Sequence, residues 1–185
     1  YPWDGKIVLK ILKAPKKDFL IFLRIPGWSE GTKIAINENE FEGEVKPSMY
    51  SAISRKWKKG DVIEINIPMP VQLMQANPLV EETKNQVAVK RGPVVYCLES
   101  TDVSNNVSIN DIVLDVNSNF TTNKINIKNR ELLYITGKAF IKKSNWKKAL
   151  YKPFSRNKDQ INIKLVPYFS WGNRTKGEMT VWMPF

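Results

Sequence analysis

Apolar and polar residues alternate with a period of two along most of this chain, and this alternation limits the possible folds more than any other feature. The clearest case is VIEINI at 62–67, which puts three isoleucines on one face and Glu64 and Asn66 on the other. Successive side chains of a β-strand point to opposite faces, so the pattern predicts a strand. Many short strands separated by turn residues predict an all-β protein made of antiparallel β-sandwiches.

Other strands are predicted wherever the alternation recurs. The segment at 18–24 is apolar on both faces, which predicts a central strand covered on both sides. The segment at 37–40 predicts a hairpin with a four-residue loop, because Glu38 is a poor second residue for a tight turn. A charged, proline-containing stretch at 77–85 is the predicted linker between two domains. The remaining predicted strands lie at 6–12, 49–57, 86–90, 94–98, 109–114, 131–141, 160–166 and 179–183.

The chain has 185 residues but no histidine and only one cysteine, Cys97. These 185 residues therefore contain no Ser-His-Asp triad, Cys-His pair or His-ligated metal, and one thiol cannot form an internal disulfide. Val95 and Tyr96 precede Cys97 in a strand-like segment, which predicts a buried and unreactive thiol. We expect no catalytic residue, metal site or cofactor in this chain.

Carboxylate pairs are the remaining means of acid–base catalysis. Glycosidases need two carboxyl groups across a cleft, one of them in apolar surroundings that raise its pKa. The densest acidic cluster in this chain, at 38–44, contains four glutamates of like charge at a predicted turn. We expect this cluster to be a solvated surface.

The net charge of +11 admits nucleic acid, an anionic membrane surface or an acidic polysaccharide as a partner. The basic stretch at 138–164 includes Trp146, Tyr151 and Phe154, but it has no signature of a nucleic-acid-binding module, so nucleic acid is not favoured. Lysines often alternate with apolar residues, which favours solvated strand faces. The longest apolar runs are too short to span a bilayer, so no membrane partner is expected.

Exposed aromatic residues with polar neighbours are the best candidates for a binding site. Trp28 follows a Pro-Gly turn, and Tyr168, Trp171, Asn173 and Arg174 form a compact segment before the last strand. Aromatic rings stack on sugar faces while amides and guanidinium groups bond to hydroxyls, so these five residues are candidates for carbohydrate contact. The alternative is that they pack against another domain.

Arg91, Gly92 and Pro93 predict a structural corner. Gly92 permits a sharp turn, and Pro93 interrupts a hydrogen-bonded ladder because it lacks an N–H group. Arg91 is a candidate to anchor the corner by a bidentate bond to a carboxylate.

Five segments are distinctive as specific sequence motifs rather than as apolar–polar patterns. They are YPWDGK at 1–6; RIPGW at 24–28; WKKGD at 57–61 continuing to IPMPV at 67–71; RGPVVYCLE at 91–99; and VPYF at 166–169 with WGNR at 171–174, GEM at 177–179 and VWMP at 181–184. In this order the segments resemble the C-terminal half of the bacterial β-L-arabinofuranosidases, glycoside hydrolase family 127 and its relatives. The resemblance covers nearly the whole chain and is weakest at 101–164.

The resemblance implies that a catalytic (α/α)6 barrel lies upstream of residue 1 and that this chain is a non-catalytic accessory region. In that family the barrel carries a cysteine nucleophile, a zinc ion held by cysteines and a glutamate, and histidines around the sugar. It also implies two β-sandwiches, of which the first comprises 1–78 plus 176–185. The second, at 79–175, is then inserted before the last strand of the first.

Two alternatives to an accessory role remain open. One is a carbohydrate-binding module that holds an oligosaccharide without cutting it, and the other is a basic surface for an anionic polysaccharide. An accessory region separated from its barrel exposes the apolar surface that faced it, so self-association is also expected.

Overall fold

The computed structural model describes residues 1–104, 107–127, 129–142, 149–153 and 159–185. The chain divides into two compact units, Tyr1–Pro70 (unit 1) and Val71–Phe185 (unit 2). All strand pairs are antiparallel within these ranges, and the helical segments there are 3₁₀ turns of three residues. No helix in the described ranges is long and apolar enough to cross a membrane. The predicted all-β fold is confirmed.

Unit 1 contains two sheets that face each other across a core. The larger has the order β1-β6-β3-β4, and the smaller consists of β2 and β5. The core is aliphatic apart from Trp57, whose indole Nε1 donates a hydrogen bond to the carbonyl oxygen of Phe19 at 3.1 Å. The strands of unit 1 are β1 (Lys6–Lys10), β2 (Phe19–Arg24), β3 (Lys33–Ile36), β4 (Asn39–Glu40), β5 (Tyr50–Arg55) and β6 (Val62–Asn66).

The predicted strand at 62–67 is confirmed, with all three isoleucines buried in the core of unit 1. The prediction of a covered central strand at 18–24 is wrong. Among the described residues, β2 has β5 as its single partner, and Leu20 and Phe22 on its outer face are more than half exposed. Apolar residues on both faces therefore did not indicate burial on both faces.

The hairpin between β3 and β4 has a two-residue turn, so the predicted four-residue loop is wrong. Ile36 pairs with Asn39, and both turn residues have positive φ, 49° at Asn37 and 70° at Glu38. The Asn37 side chain is held by two long-range bonds: its Nδ2 donates to Asp61 Oδ1 and its Oδ1 accepts from the Val62 amide. These bonds offset the strain of a left-handed glutamate, which costs about 1 kcal/mol.

Unit 2 is one sheet rather than the expected pair of sheets. Its main path is β10-β12-β13-β9-β8-β15, and β10 lies against β15, so the sheet curls until the ends of this path approach each other. The strands of unit 2 are β7 (Val71–Met74), β8 (Gln86–Arg91), β9 (Val94–Glu99), β10 (Ile112–Leu114), β11 (Thr121–Ile127), β12 (Arg130–Ile141), β13 (Gln160–Pro167), β14 (Met179–Thr180) and β15 (Trp182–Pro184).

The end of the chain forms a wedge between β8 and β9. Ala88 on β8 pairs with Met74 and also with Trp182, so β7 and β15 lie on opposite sides of β8. Leu98 on β9 likewise pairs with Leu165 and with Thr180, so β14 lies on the side of β9 that faces β8. The segment 179–184 therefore fills the open end of the β8–β9 hairpin; we call it the C-terminal wedge.

The C-terminal wedge corrects the predicted domain wiring. A last strand shared with the first sandwich was expected, but the wedge pairs inside unit 2, where the diverging β8 and β9 leave unpaired backbone groups. Both units are continuous in sequence and meet between Pro70 and Val71. The predicted linker at 77–85 instead joins two paired strands of unit 2, β7 and β8.

Of the aromatic residues predicted in the basic stretch, Trp146 and Phe154 lie outside the described residues, and Tyr151 is exposed.

Candidate functional site

The segment after β13 is a compact turn that displays aromatic rings. Pro167 and Tyr168 lead into a 3₁₀ turn that ends at the buried Ser170, whose hydroxyl donates to the Pro167 carbonyl at 2.7 Å. The Ser170 carbonyl accepts from the side-chain amide of Asn173 at 3.1 Å. These bonds lie within the turn, and the side chains of Tyr168 and Trp171 are about half exposed.

Arg174 fastens this turn to the end of β9. Its Nε donates to Glu99 Oε2 at 3.0 Å, its Nη1 donates to Asp102 Oδ1 at 2.8 Å, and its Nη2 contacts both carboxylates. The Gly172 amide donates to Glu99 Oε1 at 2.8 Å, and Lys164 Nζ lies 3.7 Å from Asp102 Oδ1. Two carboxylates therefore meet two cations, and we call these four side chains the ion cluster.

The ion cluster is largely buried, so its charges are stabilised by their oppositely charged partners rather than by water. Glu99 is 4% exposed, and hydrogen bonds from Arg174 to Asp102 and then to Glu99 raise the pKa of the guanidinium above its ordinary value. Removing a charged partner from such a pair leaves the other charge desolvated, which costs more than losing a surface ion pair. The arrangement fixes the position of the 168–174 segment.

Beside this segment lies an open groove of about 730 Å³ along the C-terminal wedge. Its lining includes two aromatic residues, Tyr168 and Trp182, and two residues with amide side chains, Gln86 and Asn110, which can donate and accept hydrogen bonds. The volume falls in the range of small-molecule sites. Aromatic rings can stack on the face of a sugar ring while nearby amides bond to its hydroxyls. We call this feature the Tyr168 groove; its lining is completed by Val95, Ile109, Met179, Thr180, Val181 and Pro184.

The five predicted contact residues do not form one cluster. Tyr168 lines the Tyr168 groove; Trp171 and Asn173 lie in the same segment but outside its lining, and Arg174 belongs to the ion cluster. Trp28 is in unit 1, half-buried against the core, with its ring 6.5 Å from that of Tyr1 at an interplanar angle of 24°. A carbohydrate or interdomain contact by these residues stays a prediction.

The predicted corner is a two-residue turn of a β-hairpin. Arg91 at the end of β8 pairs with Val94 at the start of β9, and Gly92 between them has a φ of 55°. A positive φ at the first turn position is what glycine supplies in hairpins of this kind. Arg91 lies close enough for its charge to oppose the rise that burial causes in the pKa of Tyr96. Arg174, elsewhere in unit 2, contacts two carboxylates, and a bond from Arg91 to a carboxylate stays a prediction.

Cys97 is fully buried, and burial raises the pKa of its thiol to about 12. A thiol with this pKa is almost wholly protonated near neutral pH, so it is a poor nucleophile and metal ligand. Glu38, Glu40, Glu42 and Glu44 are all exposed, as predicted for a solvated surface. Within the ranges that the structure describes, no three acidic or cysteine side chains come together to hold a metal ion. These residues do not fit the cysteine-and-glutamate zinc site that the resemblance places in the barrel.

Several residues of the site were missed in the sequence. Gln86, Asn110 and Trp182 come from three distant segments that meet only when the C-terminal wedge joins β8. Glu99 could have been noticed in the sequence, because a carboxylate at the end of the strongly apolar strand VVYCLE is unusual. A charge in such a place indicates a buried partner, but nothing local identifies Arg174 as that partner.

The fold and groove define a class: two consecutive all-β units, the second of which carries an aromatic-and-amide groove beside a buried ion cluster. Two family models match the chain. Residues 1–69 match the β-L-arabinofuranosidase GH127 middle domain, and residues 71–184 match the glycoside hydrolase family 127 C-terminal domain. The chain belongs to glycoside hydrolase family 127.

Known relatives are much longer than this chain. The non-reducing end β-L-arabinofuranosidase of Bifidobacterium longum subsp. longum is 31% identical over 193 residues, which cover 98% of this chain and 29% of that protein. A solved glycoside hydrolase superposes on the whole chain with a TM-score of 0.92 at 41% identity, over 31% of its own length. The GH127 β-L-arabinofuranosidase of Geobacillus stearothermophilus T6 gives 0.89 at 33% identity, over 29% of its length.

Proposed function

We propose that this chain is the non-catalytic accessory region of a longer β-L-arabinofuranosidase-like hydrolase, whose catalytic (α/α)6 barrel precedes residue 1. One observation carries the proposal: the chain matches a middle and a C-terminal domain in succession, yet it spans less than a third of the relatives that it matches. Its role is then to pack on the catalytic part and to stabilise it.

The side chains of the chain support this proposal. The thiol of Cys97 is buried and protonated, and the acidic cluster at 38–44 is exposed. Glu99 and Asp102 are engaged by Arg174. The usual glycosidase mechanism needs two carboxyl groups facing each other across a sugar, and the cysteine mechanism that the resemblance implies needs a reactive thiol. The acidic groups described above serve the surface or the ion cluster instead.

The test compares the purified chain with the longer polypeptide encoded by the gene that contains it. We expect an aryl β-L-arabinofuranoside to be hydrolysed by the longer polypeptide and to remain intact with the chain alone. Turnover by the chain that survives repeated purification contradicts the proposal. So does a coding region with no domain before residue 1.

A second candidate function is carbohydrate binding in the Tyr168 groove. The observation that favours it is the meeting of Tyr168 and Trp182 with the amides of Gln86 and Asn110 in one open groove. Ring stacking hides the apolar face of a sugar while the amides bond to its hydroxyls.

Titration calorimetry with arabino-oligosaccharides tests this candidate. Replacing Tyr168 by alanine removes a stacking ring and should weaken binding by about tenfold. Phe169→Ala is the matched control, because Phe169 is an exposed ring of the same turn that does not line the groove. Flat titrations at millimolar sugar, or equal effects of the two variants, contradict binding at this groove.

A further inference from the structure

Unit 1 has one apolar outer face. In β2 and β5, alternate residues point to the core, and the others point outward, among them Leu20, Phe22 and Tyr50. These three side chains are 52%, 59% and 63% exposed. Phe22 lies opposite Ala52, whose small side chain covers little of the Phe22 ring. We call this surface the β2–β5 outer face.

The opposite side of unit 1 shows what an outer face normally contains. There β1 and β6 present Lys6 and Glu64 as an ion pair at 3.3 Å, with Lys10 and Asn66 on the same two strands, and the exposed Val8 lies between the two lysines. Antiparallel sheets with one solvated face carry polar residues on that face. An adjacent group of exposed Leu, Phe and Tyr side chains therefore marks a surface that another element covers.

The position of residue 1 indicates which element that is. Tyr1 stacks on Trp28, and Trp28 follows β2 after a short turn in which the Ile25 amide donates to the Met49 carbonyl at 2.8 Å. That bond extends the β2–β5 ladder by one step beyond its Arg24 end, and Trp28 follows three residues later, so residue 1 lies near that end of the two strands. The domain model that matches 1–69 is a middle domain, so in this family polypeptide precedes it.

We propose that the β2–β5 outer face is the docking surface for the polypeptide that precedes residue 1 in the longer protein, with Phe22 and Tyr50 as its anchors. This inference rests on the proposed function, in which the chain is part of a longer hydrolase. A segment that enters beside the face needs no long connection to reach it. Aromatic side chains at the centre of a contact contribute most of its energy.

Hydroxyl-radical footprinting read by mass spectrometry tests the contact without any substitution. Phe22 and Tyr50 should be oxidised several-fold more slowly in the longer polypeptide than in the 185-residue chain. Leu12, which is 74% exposed elsewhere in unit 1, is the internal reference. Equal oxidation of Phe22 in the two proteins overturns the proposal.

A second copy of the chain is the competing occupant, and dilution separates the two. Docking within one polypeptide protects Phe22 to the same extent at every concentration of the longer protein. Protection that appears in the 185-residue chain, rises with its concentration and is absent from the longer polypeptide overturns the proposal in favour of a dimer.

A variant gives an independent measurement. Phe22→Ser should leave the thermal unfolding midpoint of the 185-residue chain unchanged and lower that of the longer polypeptide, whereas Leu12→Ser should leave both unchanged. An equal loss in both proteins means that Phe22 packs within the chain, which overturns the docking surface. If footprinting and Phe22→Ser fail while only the longer polypeptide hydrolyses arabinofuranoside, the proposed function stands and the docking surface falls.

Discussion

Arg174 joins stretches of unit 2 that lie far apart in the sequence: Glu99 is 75 positions away and Asp102 is 72. Its planar guanidinium has five N–H donors, so it can make two contacts to each of two carboxylates at once, for which a lysine with three donors and a glutamine with two have too few. The segment that displays Tyr168 and Trp171 therefore depends on one side chain.

Arg174→Gln should lower the free energy of unfolding of the 185-residue chain by about 3 kcal/mol, because Glu99 keeps its charge in a buried position without its main partner. Urea denaturation followed by tryptophan fluorescence measures the loss. Lys33→Gln is the control: Lys33 and Glu40 are 3.5 Å apart and both largely exposed, so its removal should cost less than about 0.5 kcal/mol. Equal losses would mean that the ion cluster behaves as a surface pair.

The residues of the 168–174 segment could be predicted from the sequence, but their partners and the distant residues that line the groove could not. The aromatic-and-polar character of the 168–174 segment was visible locally, and the structure exposes Tyr168 and Trp171 there. The role of Arg174 depends on carboxylates more than seventy residues away, and hydrophobic periodicity carries no information about such pairs. The strand patterns around Trp57 and Trp182 predict two core side chains. Trp57 is 2% exposed, whereas Trp182 is only partly buried and lines the Tyr168 groove.

At the scale of elements, the β3–β4 hairpin is stabilised by hydrogen bonds to residues outside the hairpin. Asn37 connects the turn to Asp61, whose carboxylate also accepts the Lys58 amide at 2.8 Å. The bond from Asn37 and then the one from the Lys58 amide lower the pKa of Asp61 below its ordinary 3.8. A tight turn that puts Glu38 at positive φ is therefore tied to the turn that precedes β6.

This link predicts a pH dependence of stability. Because the pKa of Asp61 is lower in the folded state, its contribution is fully present above the unfolded value of 3.8 and is lost as the pH falls through the folded value. Asp61→Asn should remove that contribution, so the variant should lose less stability than the parent between about pH 5 and about pH 2. Denaturation midpoints across this interval provide the measurement. The exposed Glu42→Gln should decline like the parent, and a parallel decline of Asp61→Asn would contradict the link.

Strands with one apolar face were predicted well, and polar strands were not. β6, β12 and β13 lie close to their predicted bounds because their inward residues repeat every second position. β9 also does, but there Tyr96, Cys97 and Leu98 are all buried, so a continuous apolar run indicated the strand. β11 has the sequence TTNKINI, and its register partners on β12 position it more than its own side chains do. Residues 121–124 are exposed, so this part of β11 has no buried face. Without a buried face the sequence shows no apolar repeat of period two.

At the scale of the whole molecule, the excess of positive charge and the Tyr168 groove would recognise different polysaccharides. A net charge of +11 attracts anionic polymers at long range, whereas a groove of rings and amides selects neutral sugar faces at contact. Salt screens the first interaction and leaves the second almost unaffected.

Affinity for polygalacturonate should therefore fall by roughly tenfold or more between about 50 and about 200 mM salt, while affinity for neutral arabinan should change little. Titrations of the 185-residue chain at the two salt concentrations provide the comparison. Salt-independent binding of polygalacturonate would contradict charge as its cause. Absence of binding at low salt would remove the anionic polysaccharide as a partner.

The C-terminal wedge has a consequence for the order in which the molecule is made. A ribosome delivers every strand of unit 1 before it begins unit 2, so the first sheets can close during translation. The β8–β9 hairpin, in contrast, keeps hydrogen-bonding groups of Gln86–Ala88 and Leu98–Glu99 open until the codons for 179–184 are read. A message that stopped before the codons for 179–184 would release a closed unit 1 joined to a unit 2 with open strand edges, and edges of that kind pair with neighbouring chains.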